Sequence, residues 1–456
     1  MKINRTTLSL IIASLCGTCA SATAVGQDGT NASTGRIGDQ DSSGYIESSS
    51  RISDVSPTDG GQPVAYNPVM FQSPAFDVPG STSMVGAGCE GGCTTACGPV
   101  TLCNTSASTW VEAETLLWWG KGMTGTPLIV GGGPNAVPNN VLGGGPNNPV
   151  GESLRVGYRF TAGTWLDCDQ NYGVMGRVFG LFGDEDRTTF TGQPTTGIRF
   201  FDTSPSVNNF NNYLVQQTTP AGNNTGDIIV ENELDLVAAD ASFRMRLLGD
   251  GLSRGDLLAG YSFLRLDSSY GLRSVVLDGI TGNGIPDGTV TTTVDTFGTR
   301  NEFHGGHLGF MNEVASGRFS LALLGKVAMG NMRSASSIAG SFTEDRPLPD
   351  PDFAANRGLF AQSTNSTVGV VSQDRFTFIP EAGAKLKYQL GRGQLGVGYT
   401  LLVMPSVVLA ASQIDTNVSS DHFALVPLDP PRTPVAKFQR DTFFLHGLDL
   451  GYTFNF

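Results

Sequence analysis

The feature that most constrains this chain is a period-2 alternation of large apolar and small or polar residues, sustained over stretches too long for an ordinary soluble strand. In the terminal string LDLGYTFNF, Leu448, Leu450, Tyr452, Phe454 and Phe456 share one face and Asp449, Gly451, Thr453 and Asn455 the other. Successive side chains of a strand point to opposite faces, so one face asks for lipid or a core and the other for water. The segment FTFIPEAGAKLKYQL repeats the pattern. Phe376, Phe378, Ala382, Ala384, Leu386, Tyr388 and Leu390 lie on one face, and Glu381, Lys385, Lys387 and Gln389 on the opposite one. After the turn Gly391-Arg392-Gly393, Leu395, Val397, Tyr399, Leu401 and Val403 alternate with Gly396, Gly398 and Thr400.

The same reading places strands at Trp110–Trp119, Leu154–Leu166, Tyr172–Phe182, Asp235–Leu247, Leu257–Asp267, His304–Val314 and Phe319–Met332. With the three above, the last over Thr442–Phe456, they make about ten, an even number as in single-chain bacterial barrels. Connections alternate in length. Asp167–Asn171, Gly249–Asp256, Ala315–Arg318 and Gly391–Gln394 are short, whereas Gly120–Gly151, Gly183–Glu233, Ser268–Phe303, Arg333–Arg375 and Ala411–Asp441 are long. Short periplasmic turns and long external loops have this rhythm. The predicted class is therefore all-β, an antiparallel transmembrane β-barrel of about ten strands. A secreted β-sandwich alternates in the same way, but its strands run shorter than the 9–11 residues of a tilted bilayer crossing. Trp118, Trp119, Tyr158, Phe160, Tyr172, Phe182, Tyr388, Phe443 and Phe444 gather near strand ends, where an interfacial girdle is expected.

Lys2 and Arg5, the apolar run from Leu8 to Cys16, and the overlapping A-x-A sites of Ala20-Ser21-Ala22 and Ala22-Thr23-Ala24 read as a cleaved signal peptide over residues 1–24. Leu15 stands where a lipobox wants a small residue before Cys16, which argues against lipidation. Residues 25–108, rich in Gly, Ser, Thr, Asp and Pro, lack any periodic apolar run and read as a disordered periplasmic lead before the barrel of 109–456. Cys89, Cys93, Cys97 and Cys103 read as disulfides of open pairing, with loosely paired thiols or a thiolate metal site as alternatives. Cys168 stands alone in a later turn.

The formal charge of −13 leaves no basic face, which excludes nucleic acid as a partner. On the polar faces, taken to line the lumen, stand Glu112, Glu114, Arg155, Arg159, Arg177, Asp240, Arg244, Arg246, Glu313, Lys326, Glu381, Lys385 and Lys387, with Asp449 on the last strand. Mixed signs suit either a hydrated pore whose charges set ion preference or paired charges that fill a narrow lumen. His304 and His307 are three apart, so on a strand they face opposite ways and do not ligate one metal together. His422 falls in a loop and His446 on the apolar register; G-x-S-x-G is absent, and each histidine reads as structural. The acidic stretches Asp184-Glu185-Asp186 and Glu344-Asp345 read as solvated loops, and no cofactor is expected.

Two resemblances follow. The ending with Asp449, Gly451, Phe454 and Phe456 resembles the assembly signal of outer-membrane barrels, which implies recognition by the outer-membrane insertion machinery. The opening strand WVEAETLLWWGKG, from Trp110 to Gly122, followed by Pro127-Leu128, resembles the β-barrel porin family BBP7 of planctomycete-type bacteria. That resemblance implies an outer-membrane barrel and carries no functional residues. The reading of the chain is thus a non-enzymatic outer-membrane barrel. Its expected function is porin-like passive diffusion of ions or small hydrophilic solutes through a mixed-charge lumen. The alternative is a plugged structural or surface-interaction barrel without transport, and an outer-membrane hydrolase comes third. The expected partners are outer-membrane lipid, the insertion machinery and the diffusing solutes, with the oligomeric state left open.

Overall fold

The computed structural model describes residues 109–456 apart from 123–125, 133–140, 146–153, 184–185, 192–194, 205–206, 250–251, 283, 363–367 and 420–432. The expected signal peptide, the lead segment, its four cysteines and His422 lie outside the described residues. Among those residues ten antiparallel strands close a ring: β1 (Thr109–Gly120), β2 (Leu154–Trp165), β3 (Tyr172–Phe182), β4 (Gly222–Gly249), β5 (Ser253–Leu277), β6 (Val290–Ser316), β7 (Phe319–Asp345), β8 (Gly369–Leu390), β9 (Gly393–Val407) and β10 (Asp441–Asn455). The seam is an antiparallel pairing of β10 with β1, from Trp110 opposite Asn455 to Gly120 opposite Leu445. Around the closed belt each strand pairs on both sides, which removes the edge there, whereas 369–380 of β8 pairs with β7 alone.

The register fixes the width of the barrel. Paired residues can be followed from Thr109 through Thr164, Val174, Phe243, Ala259, Leu308, Val327 and Pro380. One step beyond the Glu381–Leu402 pair leads to Val403 and its partner Phe444. The Phe444 carbonyl accepts from the Lys121 N–H, so the circuit returns to β1 twelve residues from its start. A stagger of this size over ten strands tilts them by about 40° and leaves a lumen only slightly wider than side chains alone fill.

Two hairpins at one end are two-residue turns, Gly317-Arg318 and Gly391-Arg392, and each begins with a glycine of positive φ, 61° and 64°. Only glycine adopts that backbone without strain in so tight a reversal. Asp167 accepts the Asn171 and Tyr172 N–H groups in the turn between β2 and β3. Slight burial raises that carboxyl, but the two donors outweigh it and hold it below the ordinary value. This end is the periplasmic one in barrels with this asymmetry of turns. Cys168 in the same turn is disulfide-bonded, so it does not stand alone as its sequence context suggests.

The outward faces are apolar, with Leu448, Leu450, Phe454, Leu386, Val397 and Tyr399 all exposed. The aromatic girdle needs one correction. Trp119, Tyr158, Phe160, Tyr172, Phe182 and Phe444 do face out, but Trp118 and Phe443 are buried inside the barrel. Neighbours on a strand cannot share a face, so of Trp118-Trp119 and Phe443-Phe444 only one each reaches lipid.

The strands are unequal. β4 to β7 run 25 to 28 residues, more than twice β1, and rise above the others as a wall. Much of the expected loops Gly183–Glu233, Ser268–Phe303 and Arg333–Arg375 is therefore strand. Against the wall's inner face packs a small sheet formed by Ile129–Gly131, Val141–Gly143, Thr195–Asp202, Asn209–Thr219 and Asn417–Val418. Ile198, Phe200 and Val215 from this sheet join Ile228, Tyr270, Leu272, Phe297 and Ile338 from the wall in one apolar core. Wall and sheet together form a folded cap at the outer end of the barrel.

Candidate functional site

The lumen of the barrel is divided along its axis. On nearly every strand the inward residues are charged or polar in the periplasmic half and apolar in the outer half. β1 shows the switch most plainly, with Glu112 and Glu114 followed by Leu116 and Trp118, all buried. β3 passes from Arg177 to Phe179 and Leu181, and β10 from Thr453 and Asp449 to Leu445 and Phe443.

In the charged half the side chains satisfy one another. Arg159 on β2 pairs with Glu114 at 2.5 Å and with Asp449 across the seam at 2.7 Å. Asp449 also accepts the Trp118 Nε1–H at 2.8 Å and the Thr400 hydroxyl at 2.5 Å. Arg177 on β3 pairs with Asp240 and with Glu381, and Lys326 reaches the same two carboxylates at 2.8 and 2.9 Å. Lys385 bridges Glu112 at 3.0 Å and Glu114 at 2.6 Å. Four cations and five carboxylates thus interlock between opposite walls. Low local polarity strengthens such pairs and makes any unpaired member costly.

Nearer the periplasmic mouth Arg244 and Arg254 share Asp256, at 2.5 and 2.9 Å. Both guanidinium groups lie over the Trp165 ring, 4.6 and 4.0 Å from its centre. Between this tier and the network remains a cavity of about 130 Å³, lined among others by Glu112, Arg177, Ser242, Glu313, Lys326 and Lys387.

Of the sequence candidates, Glu112, Glu114, Arg159, Arg177, Asp240, Arg244, Lys326, Glu381 and Lys385 come together in these ion pairs. Glu313 and Lys387 line the cavity, where Glu313 accepts the Ser320 hydroxyl. Two are placed apart. Arg155 donates to the Leu234 carbonyl high in the barrel, and Arg246 stands at the periplasmic rim, next to a break in register between β4 and β5. Asp256, Arg254, Ser242, Ser262 and Thr400 complete the polar interior and were missing from the sequence-derived set. For Asp256 and Arg254 the sequence signal was obscured because they read as part of a turn.

His304 and His307 face opposite sides. His304 is exposed and bonded to Tyr261 at 2.6 Å, while His307 is buried between Ser242 and Ser262. His446 lies on the outer face against Tyr399.

Above the charges the lumen is lined by apolar side chains. Trp118, Phe179, Leu264, Phe303, Leu402 and Phe443 fill it, and the chain after β9 folds in on top of them. Val407–Val408 and the one-turn 3-10 helix Ala410–Gln413 are wholly buried there. Asn301 clamps this plug by donating to the Val408 carbonyl and accepting its N–H, both at 2.8 Å. Ser334 in turn donates to Asn301 at 2.9 Å.

In the cap, the turn around Phe360 is anchored on Asp295, whose carboxylate accepts the N–H groups of Leu359, Phe360 and Ala361 at 3.1, 2.8 and 2.7 Å. Complete burial pushes this carboxyl up to about 6 against the pull of those three donors.

The chain is similar to the outer membrane protease OmpT from Escherichia coli, with 10% identity, 78% of this chain and 99% of that chain covered, and a TM-score of 0.36. It is also similar to the P. putida toluene transporter TodX, with 7% identity, 76% and 90% covered, and a TM-score of 0.19. No curated protein matches it. The family described as "Putative beta barrel porin-7 (BBP7)" matches residues 110–456, which takes in every strand of the ring. The chain belongs to the BBP7 family of outer-membrane β-barrels.

Proposed function

We propose that this protein is an outer-membrane barrel whose lumen is held shut and which anchors a folded cap at the cell surface. The observation that carries the reading is the closed outer half of the lumen, packed with apolar side chains and the buried plug above the 130 Å³ cavity. Interlocked charges occupy the periplasmic half, and apolar side chains with the Val407–Ile414 plug occupy the outer half. A barrel of ten strands has little width to spare for water once these groups are in place.

A second reading, passive diffusion of ions or small hydrophilic solutes, is favoured by the mixed-charge cavity and by the family's description as a porin. It requires both the plug and part of the charge network to leave the axis. Planar-bilayer recording separates the two. The closed reading expects no current steps above background from folded protein, and steady unitary steps would overturn it. If steps occur, Lys385→Glu with Lys387→Glu shifts the cation/anion preference only where those side chains border the open path.

Export through a cleaved signal peptide and recognition of the Asp449, Gly451, Phe454 and Phe456 ending by the insertion machinery belong to the same proposal. Gly451 has a structural reason as well, since a Cβ there would stand 2.5 Å from the Glu114 side chain of the neighbouring strand.

A further inference from the structure

On the inner wall, three adjacent strands bring together Ser242 of β4, Ser262 of β5 and His307 of β6. His307 Nε2 is 2.9 Å from the Ser242 hydroxyl, and its Nδ1 is 2.8 Å from the Ser262 hydroxyl. The Ser262 hydroxyl is also 2.5 Å from Asp240 Oδ1. The direction of each bond follows from the partners. Asp240 is paired with Arg177 and Lys326, so it is a carboxylate and accepts only. The single Ser262 proton therefore points at Asp240, and the Ser262 oxygen accepts from His307 Nδ1–H. A neutral ring with its proton on Nδ1 has a bare Nε2, and Ser242 must donate to it. A serine hydroxyl donating to an imidazole, whose far nitrogen is fixed by a second group and a carboxylate, is the arrangement of a nucleophile with its base.

Ser242 also lines the 130 Å³ cavity, together with Arg177 and Lys326, both of which are held in pairs with Asp240 and Glu381. Glu313 and Lys387, in the same lining, stand four residues from the periplasmic turn glycines Gly317 and Gly391, so the cavity reaches toward that end.

We propose that Ser242 is a nucleophilic serine, with His307 as its base and Ser262 as a positioning residue, that accepts acyl groups from small esters arriving from the periplasmic side. The Ser242 oxygen forms a bond to the carbonyl carbon as its proton passes to His307 Nε2, and the carbonyl electron pair moves to oxygen. When that pair returns, the ester C–O bond breaks and the leaving alkoxide takes the proton from Nε2. Water repeats the sequence to release the acid and restore the serine. This inference is independent of whether the lumen conducts.

The test is methanesulfonyl fluoride on the folded protein in detergent, followed by peptide mass analysis. Reaction forms an Oγ–S bond, expels fluoride and sends the proton to His307. The expected result is an adduct on the Ser242 peptide that is absent in Ser242→Ala and absent from boiled protein. The rate falls about a hundredfold or more in His307→Gln. Its rise with pH follows a single base in the wild type and vanishes in that variant. Ser262→Ala slows labelling and changes its pH profile, and Ser262→Thr restores both. Folding of each variant is checked by heat-modifiable migration; if His307→Gln fails to fold, the wild-type pH profile decides. No adduct on Ser242 of folded wild type, a pH profile without a single base, or an unchanged rate in folded His307→Gln overturns the proposal.

Discussion

Arg159 is held by two carboxylates from two other strands, Glu114 of β1 and Asp449 of β10, and is almost completely buried with both. Its removal leaves Asp449 without a cation and Glu114 with Lys385 alone, so Arg159→Met is expected to destabilise the barrel by about 3–5 kcal/mol. Adding Asp449→Asn to that variant restores part of the loss. Midpoints of heat- or urea-induced loss of the fast-migrating folded band measure both effects. Asp295 supplies a second residue-scale prediction, of opposite character. Its folded value of about 6 lies above its ordinary 3.8, so the folded cap prefers the protonated form. The contribution to cap stability is complete below about 4 and is lost as pH rises through 6. Hydrogen exchange of the Leu359, Phe360 and Ala361 amides, corrected for intrinsic rates, should show weaker protection at pH 7.5 than at pH 5. Asp295→Asn should flatten that difference. Neither role was legible in the sequence. Arg159 was placed correctly on the inner face by parity, but partners 45 and 290 positions away become neighbours only through the register of the closed ring.

At the level of elements, the ten strands and their order were readable because a lipid-facing row of large apolar residues leaves a strong period-2 signal. The upper parts of β4 to β7 were not. There the outer face meets water and the inner face meets the cap, so the sense of the alternation inverts. Tyr270, Leu272 and Phe297 point inward while Arg273 and Ser269 point outward. A reading that assigns every polar face to the lumen passes over such a segment as loop. The plug was equally hidden, since Val408–Ala411 is a short apolar run with no partner in its own vicinity. Its clamp is testable. Asn301→Ala leaves the Val408 N–H and carbonyl buried without their partner, at a cost of about 1–3 kcal/mol. The expected readout is faster proteolysis or hydrogen exchange in Val407–Ile414 with an unchanged rate in β1 and β10.

For the molecule as a whole, the stagger of twelve over ten strands and the seam between β1 and β10 are linked. The first and last strands of the ring are separated by more than 300 residues, yet Asp449 is bonded to Trp118, Arg159 and Thr400 together. A chain cut before Asp441 is expected to give no heat-modifiable band, however well its other nine strands pair. The seam also sets a clock. Until β10 has been made and delivered, β1 and β9 are both unpaired margins with nothing to dock on, and Glu114 and Arg159 lack one corner of their triangle. Closure is therefore the last pairing the ring can make, and until it happens the margins of β1 and β9 offer unpaired backbone to any other chain.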